Sequence, residues 1–345
     1  MIERMRIACI LALLLIPGAI SAQKIENDSL HALIQKGIHL SGQQQYTDAR
    51  SVFDQAIREY PDHPAGYLNK AILLQVISLD LEVPVQMPAY LQLLERAQSR
   101  AEALTGHATT RAEGNYYIGM ARSYVAYYHF RDGEDWISGL SEGLKATGYL
   151  EDCLEAQPRS YDAMTGVGTY RYWKSNNMSF LTWTPLVDDD RESGIRMLRR
   201  AERHAHYSAQ QATNSLIWIY IEEENWNAAV RTANAVLEKF PNNRLFLWGL
   251  ASAEEGRENW RGARAAYRRI VASIDDEVSD RRYIELQARA KIALMSARLG
   301  DTQTASKESR WVLSKRNMSL KGLTEDGRDR IQRRFEEIEE LTEEL

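Results

Sequence analysis

The run Trp226-Asn-Ala-Ala-Val-Arg-Thr-Ala-Asn-Ala-Val-Leu-Glu-Lys-Phe-Pro241 is followed, 34 residues on, by Trp260-Arg-Gly-Ala-Arg-Ala-Ala-Tyr-Arg-Arg-Ile270. A recurrence of that period is the mark of a stacked helical-hairpin repeat. In the second copy Trp260, Ala263, Tyr267 and Ile270 are spaced three, four and three apart, which puts them on one helical stripe. Such a stripe needs a neighbouring helix to cover it. The first copy carries Trp226, Ala229, Ala233 and Val236, and Pro241 ends it because proline cannot donate to the preceding turn.

The same grammar reaches back to Gly37, Tyr46, Ala49, Phe53, Ala56 and Pro61. With these residues the chain resembles the tetratricopeptide repeat family, whose small signature residues stand where two helix backbones approach closely. Weaker copies begin at Ile118-Gly119 and at Gly168, and a last one holds Ile292-Ala293, Gly300-Asp301, Ala305 and Val312. The stretch from Ala65 to about Leu104 reads as a degenerate hairpin interrupted by Pro84 and Pro88. All seven prolines beyond residue 22 fall between helices drawn in this register. The expected fold is all-α: about seven hairpins, or roughly fourteen antiparallel helices, stacked as an elongated array. The resemblance implies a right-handed superhelical solenoid whose concave face is lined by the first helix of each pair. Three segments are expected: 1–22, a repeat array over 23–322 with an apolar insertion at 174–188, and a capping helix over 323–345. In the last, Ile331, Phe335, Ile338, Leu341 and Leu345 form the buried stripe, and Arg333 can pair with Glu337.

The first segment opens with Glu3, Arg4 and Arg6, continues with an apolar run from Ile7 to Ile16, and ends in small residues up to Ala22. That is the pattern of a secretory signal peptide, and the run is too short to span a bilayer. The expected location is the periplasm or cell envelope, or outside a single-membrane cell. Without this segment 41 basic and 47 acidic residues remain, a mildly acidic balance that speaks against nucleic-acid binding. The 345 residues are 44% hydrophobic and 26% charged, a composition that folds and that is not a polytopic membrane protein's. Cys9 departs with the leader, so Cys153 has no intrachain disulfide partner and reads as a half-buried helical thiol.

A search for catalytic chemistry finds only look-alikes. Gly139-Leu-Ser141-Glu-Gly143 satisfies G-x-S-x-G, yet no strand precedes it to build a nucleophile elbow. Gly166-Val-Gly168 lacks the third glycine of a dinucleotide loop and reads as a close helix contact. His204 and His206 are two apart and point to different helix faces. Asp188, Asp189 and Asp190 read as helix capping. No catalytic residue, metal site or cofactor is expected. Arg196, Arg199, Arg200 and Arg203 make a basic stripe: a solvated face, or an anion or acidic-peptide contact.

Two features point to a partner. The insertion carries Phe180, Leu181, Trp183 and Leu186, either completing its own hairpin's core or offering an interface. Carrying the family's groove positions over puts Ile34 and Ile38, Tyr116 and Met120, Thr169, Tyr172 and Trp173, Asn214 and Trp218, and Leu245 and Trp248 on the concave face. The lysine and asparagine set with which chaperone-binding members hold a terminal carboxylate is missing there. Two functional readings follow. One is an exported, non-enzymatic adaptor for a protein or peptide segment, with peripheral association with outer-membrane components. The other is a carrier of a small apolar or aromatic ligand for a transport system, lidded by the Phe180 to Leu186 loop.

Overall fold

The computed structural model describes residues 24–131, 135–177, 189–274 and 282–345. The expected leader, Phe180 and Trp183 lie outside the described residues. Among those described there is no strand, and seven consecutive hairpins account for fourteen helices. They are α1 (Asp28–Gly42) with α2 (Tyr46–Glu59), α3 (Pro64–Leu81) with α4 (Met87–Thr105), and α5 (Arg111–Arg131) with α6 (Trp136–Ala156). Next come α7 (Tyr161–Asn177) with α8 (Arg191–His204), α9 (Ala209–Glu222) with α10 (Trp226–Lys239), α11 (Arg244–Gly256) with α12 (Trp260–Ala272), and α13 (Arg282–Arg298) with α14 (Thr302–Leu313). A last helix, α15 (Glu325–Glu344), packs on α13 and α14.

Local chemistry explains the punctuation. Pro64 and Pro88 sit in the first turns of α3 and α4, where a missing N–H costs nothing. Asn225, Asn243, Asn259 and Asp301 each cap a helix by accepting from a backbone N–H in its first turn. Four hairpin turns share one backbone device, a left-handed residue two positions before the second helix. Three of these are Gln44, Glu224 and Glu258, with φ of 62°, 53° and 59°, and the fourth is Gly300 at 71°. The small signature residues act as the sequence reading expects. Gly37 lies under the fully buried Phe53 ring, and a Cβ on Gly168 would come within 2.8 Å of the Gly194 carbonyl oxygen of α8.

The capping helix buries Ile331, Phe335, Ile338 and Leu341, while Leu345 remains 44% exposed. The expected Arg333–Glu337 pair does not form: Arg334, not Arg333, bonds Glu337. Ser175, Asn176 and Asn177 continue α7 instead of opening the insertion. Asp190, at the N-cap of α8, makes no side-chain cap; Asp189 accepts from the Arg191 N–H instead, at 3.1 Å.

The solenoid is wound tightly enough that its first two hairpins also touch later ones. The Ile25 N–H donates to the Tyr207 hydroxyl at 2.9 Å, and the Gln35 amide to the His206 carbonyl at 2.5 Å. Gly42 lies against Phe240, and its carbonyl accepts from the Asn243 side chain at 2.8 Å. Further along the seam the Arg244 guanidinium meets Asp80 through both carboxylate oxygens, with Nε at 2.8 Å from Oδ1. Both side chains are buried, and the Tyr46 hydroxyl also donates to Asp80 at 2.9 Å. Glu82 carries the contact to the far end, accepting from Gln287 at 2.8 Å and, through its carbonyl, from the Thr324 N–H at 3.1 Å. The ends of the array meet along a polar seam that hydrophobic periodicity does not encode.

Candidate functional site

Closure divides the first helices into covered and open parts. Tyr116 is 4% exposed and Tyr172 is fully buried, so neither offers a ring to a partner, contrary to the groove reading. Tyr116 packs edge-on to Tyr117, with centroids 4.9 Å apart, in the cluster that also holds Leu30, Ile34, Met120 and Tyr207. Tyr116 thus shares a core with the returning N-terminal hairpin, whereas Tyr172 is buried among neighbouring repeats, in the cluster with Leu198, Leu216 and Ile217.

The loop between α8 and α9 is held for this contact by Asp162, a buried carboxylate on α7. It accepts from the backbone N–H groups of His206, Tyr207 and Ser208 at 3.0, 2.8 and 2.8 Å, and from the Ser208 hydroxyl at 2.9 Å. Burial pushes its carboxyl above the usual value, and these donors pull it partly back. Tyr207 then accepts from Ile25 and is hydrogen-bonded to His31 Nδ1 at 2.7 Å.

Three tryptophans remain on successive first helices: Trp173 on α7, Trp218 on α9 and Trp248 on α11. Trp218 is 38% exposed. Trp173 is half-buried and meets Tyr172 edge-on at 5.2 Å, and Trp248 is half-buried against Tyr267 at 5.3 Å. Two polar contacts align the first two helices, Thr169 with Ser215 at 3.2 Å and Asn176 with Glu222 at 3.2 Å. Glu222 stands one turn beyond Trp218 and so shares its face.

The basic stripe is dispersed. Arg199 donates to the Tyr220 hydroxyl at 2.8 Å and lies over that ring, Arg200 lies over Tyr161 at 5.5 Å, and Arg196 pairs with Glu192 at 3.3 Å. Arg203 is exposed. His204 meets Tyr161 and His206 faces His31, so the two histidines do diverge. Ser141 lies inside helix α6 and not at a strand-to-helix turn. Burial pushes the Cys153 thiol up to about 11, which keeps it protonated. Among the described residues no group of three or more His, Cys, Asp or Glu is placed to hold a metal, and no helix is long and apolar enough to cross a membrane.

The sequence reading missed Asp80, Arg244, Asp162 and Tyr207. Two signals were present: Asp80 as a lone charge in the apolar run of α3, and Arg244 as a cation in the first helical turn, where the dipole disfavours it.

The pattern of the tetratricopeptide repeat family matches residues 34–74 and 215–278. No curated protein matches the sequence. Among solved structures, a thermophilic TPR protein of Thermus thermophilus is 16% identical, over 65% of this chain and 98% of that one, with a TM-score of 0.41. The C-terminal part of a TPR repeat-containing protein from Cytophaga hutchinsonii is 16% identical, over 85% and 98%, with a TM-score of 0.44. Human IFIT1 in a dimer with PPP-AAAA is 16% identical, over 79% and 69%, with a TM-score of 0.39. With its 34-residue recurrence, its run of helical hairpins and the family pattern on both its first and its later repeats, the chain is a tetratricopeptide repeat protein.

Proposed function

We propose that this protein is an exported, non-catalytic adaptor that holds a segment of another protein against the face formed by α7, α9 and α11. The observation that carries the reading is the row of Trp173, Trp218 and Trp248, with the Trp218 ring well exposed. Aromatic side chains give large contact area for little lost rotamer entropy, which suits a peptide-binding surface. The carboxylates of Glu222, Glu223 and Glu224 at its edge disfavour a polyanion such as RNA.

A photo-crosslinking residue placed at position 218, in the native host, tests the surface. The expected result is a crosslinked protein whose yield falls when Trp173 is changed to alanine. Crosslinking to no protein, with a small molecule retained in native mass spectrometry, replaces the adaptor with a ligand carrier. Export has its own test: the mature chain is expected to begin near Gln23, and an N-terminus at Met1 overturns it.

A further inference from the structure

The first helices touch one another from hairpin to hairpin, α5 with α7, α7 with α9 and α9 with α11, so they form the inner layer of the array and the second helices the outer one. Charge is spread unevenly along that outer layer. Among the described residues of α2, α4 and α6 the exposed charged side chains are mixed, five cations with six carboxylates. On α8, α10, α12 and α14 eleven exposed lysines and arginines stand against two exposed carboxylates, Glu192 and Glu238. Four of the eleven are on α8, two on α10, three on α12 and two on α14. Helix α12 has no acidic residue, although the whole chain carries a net charge of -5.

Two further observations bear on what such a face fits. Among the described residues Arg196 is the one member of the set in an ion pair, with Glu192, while the half-buried Glu202 acts on Arg199 and Arg203 through charge alone. Asp275, Asp276, Glu277 and Asp280, between α12 and α13, lie outside the described residues. The guanidinium groups do not converge on one pocket: Arg199 lies over Tyr220, Arg200 over Tyr161, and Arg269 donates to the Pro241 carbonyl at 2.8 Å. The second observation is that none of these four helices exposes a large apolar or aromatic side chain. A tight protein interface is built around such anchors, and a single nucleic-acid strand is held by rings on which its bases stack. An anionic bilayer surface needs neither, because its headgroups move laterally to meet cations that are spread out.

We propose that the outer face of α8, α10, α12 and α14 seats this protein on a membrane surface rich in anionic lipid headgroups. The contact is electrostatic and without insertion, and each basic side chain close to such a surface raises partitioning about fivefold. Long arginine and lysine stems let the charged heads reach the headgroups while the helices stay in water. Trp173, Trp218 and Trp248 belong to the inner layer, so a protein seated in this way keeps its aromatic face open. The proposal does not depend on what that aromatic face binds.

The probe is a pair of vesicles, one of phosphatidylcholine alone and one with a third of it replaced by phosphatidylglycerol. Flotation of the full chain, as recovered from its own host, is expected to show about tenfold or greater preference for the anionic vesicles in about 0.1 M salt, lost in about 0.5 M. The triple change Arg231→Glu, Arg261→Glu and Arg268→Glu is expected to abolish that preference with Tm unchanged, whereas Arg231→Lys, Arg261→Lys and Arg268→Lys together keep it. On α2 and α4, Arg50→Glu, Arg58→Glu and Arg96→Glu alter the net charge equally and are expected to keep most of it. Equal loss in the two glutamate triples reduces the effect to net charge and overturns the face, and loss in the lysine triple replaces a diffuse surface with a shaped site. No preference of the parent chain for anionic vesicles overturns the proposal outright. Binding of a single-stranded oligonucleotide or of polyglutamate more tightly than the vesicles, removed by the same glutamate triple, gives the face to a nucleic acid or an acidic protein instead. Trp218→Ala is expected to leave vesicle binding unchanged, which separates this face from the aromatic one.

Discussion

Tyr116 and Met120 on α5 hold the repeat positions that Asn214 and Trp218 hold on α9, yet the first pair is buried and the second lies open or half-open. The difference is not in the helices themselves. Over α5 the returning N-terminal hairpins and the Tyr207 loop complete a core, while nothing described covers Trp218. A repeat position therefore specifies a direction along the solenoid, and the path of the rest of the chain settles whether that direction is interior. The two regions also differ in what binds them. The seam is built from buried ions and hydrogen bonds, which depend on every partner being present, whereas the open face offers apolar area that costs little when unoccupied.

The largest expected effect is at the seam. Arg244→Met leaves Asp80 buried with only the Tyr46 hydroxyl, which should cost about 3–5 kcal/mol in urea unfolding. Solution scattering should also show an expanded chain as the two ends part. If Arg244→Met unfolds as the parent does and keeps the parent's dimensions, the ion pair does not hold the ends together. Pairing Arg244→Met with Asp80→Leu should recover most of the lost stability, since an apolar pair replaces a buried ionic one at little cost.

Next in size is Asp162→Ala, which strands three backbone N–H groups and should cost about 3 kcal/mol. Hydrogen exchange at His206, Tyr207 and Ser208 should rise more than at Trp218. Equal exchange at both would mean that the loop is held by something else.

The tryptophans sharpen the contrast directly. Trp248→Ala removes a half-buried ring packed edge-on against Tyr267 and should lower stability by about 2 kcal/mol, below the cost of emptying a full core site. Trp218→Ala should lower it by less than about 1 kcal/mol. Similar melting temperatures for the two variants would erase the distinction between interior and face.

The hairpin turns predict a small gain. Glu258 holds a left-handed backbone where Gly300 serves the equivalent turn, so Glu258→Gly should stabilise the chain by up to about 1 kcal/mol once glycine's own entropy is subtracted. Thermal unfolding of the single variant measures this, and a loss of stability would show that the turn is not strained.

The smallest effect is a pH dependence at the seam. Burial first, then the charges of Lys24 and His206, hold the His31 imidazole below its usual 6.5, while Asp28 acts the other way. The unfolded chain therefore binds the proton first as pH falls, and folded stability declines below about 6.5. Because His31 is only half-buried, the decline should be modest. His31→Gln should flatten it, and an unaltered pH profile would remove His31 from the seam's energetics.

Much of this protein follows from the sequence alone. Trp226 and Trp260 set the period, Gly37 and Phe53 the close helix crossing, and the prolines the boundaries, because each acts through neighbours within one hairpin. The stripe on the last helix is likewise local, since one face of a terminal helix has only the preceding hairpin to cover it. Which aromatic residues would be surface was not legible. Tyr116 and Trp218 look alike in the repeat, and what buries Tyr116 is a cluster that includes Leu30, Ile34 and Tyr207, far away in sequence. Asp80 with Arg244, and Ile25 with Tyr207, are joined across separations of 164 and 182 residues. A periodic pattern records how each helix meets the next, so it carries the solenoid. The small rotation between hairpins that brings the second one back to the sixth accumulates over the whole array, and only the tertiary structure decides where it closes.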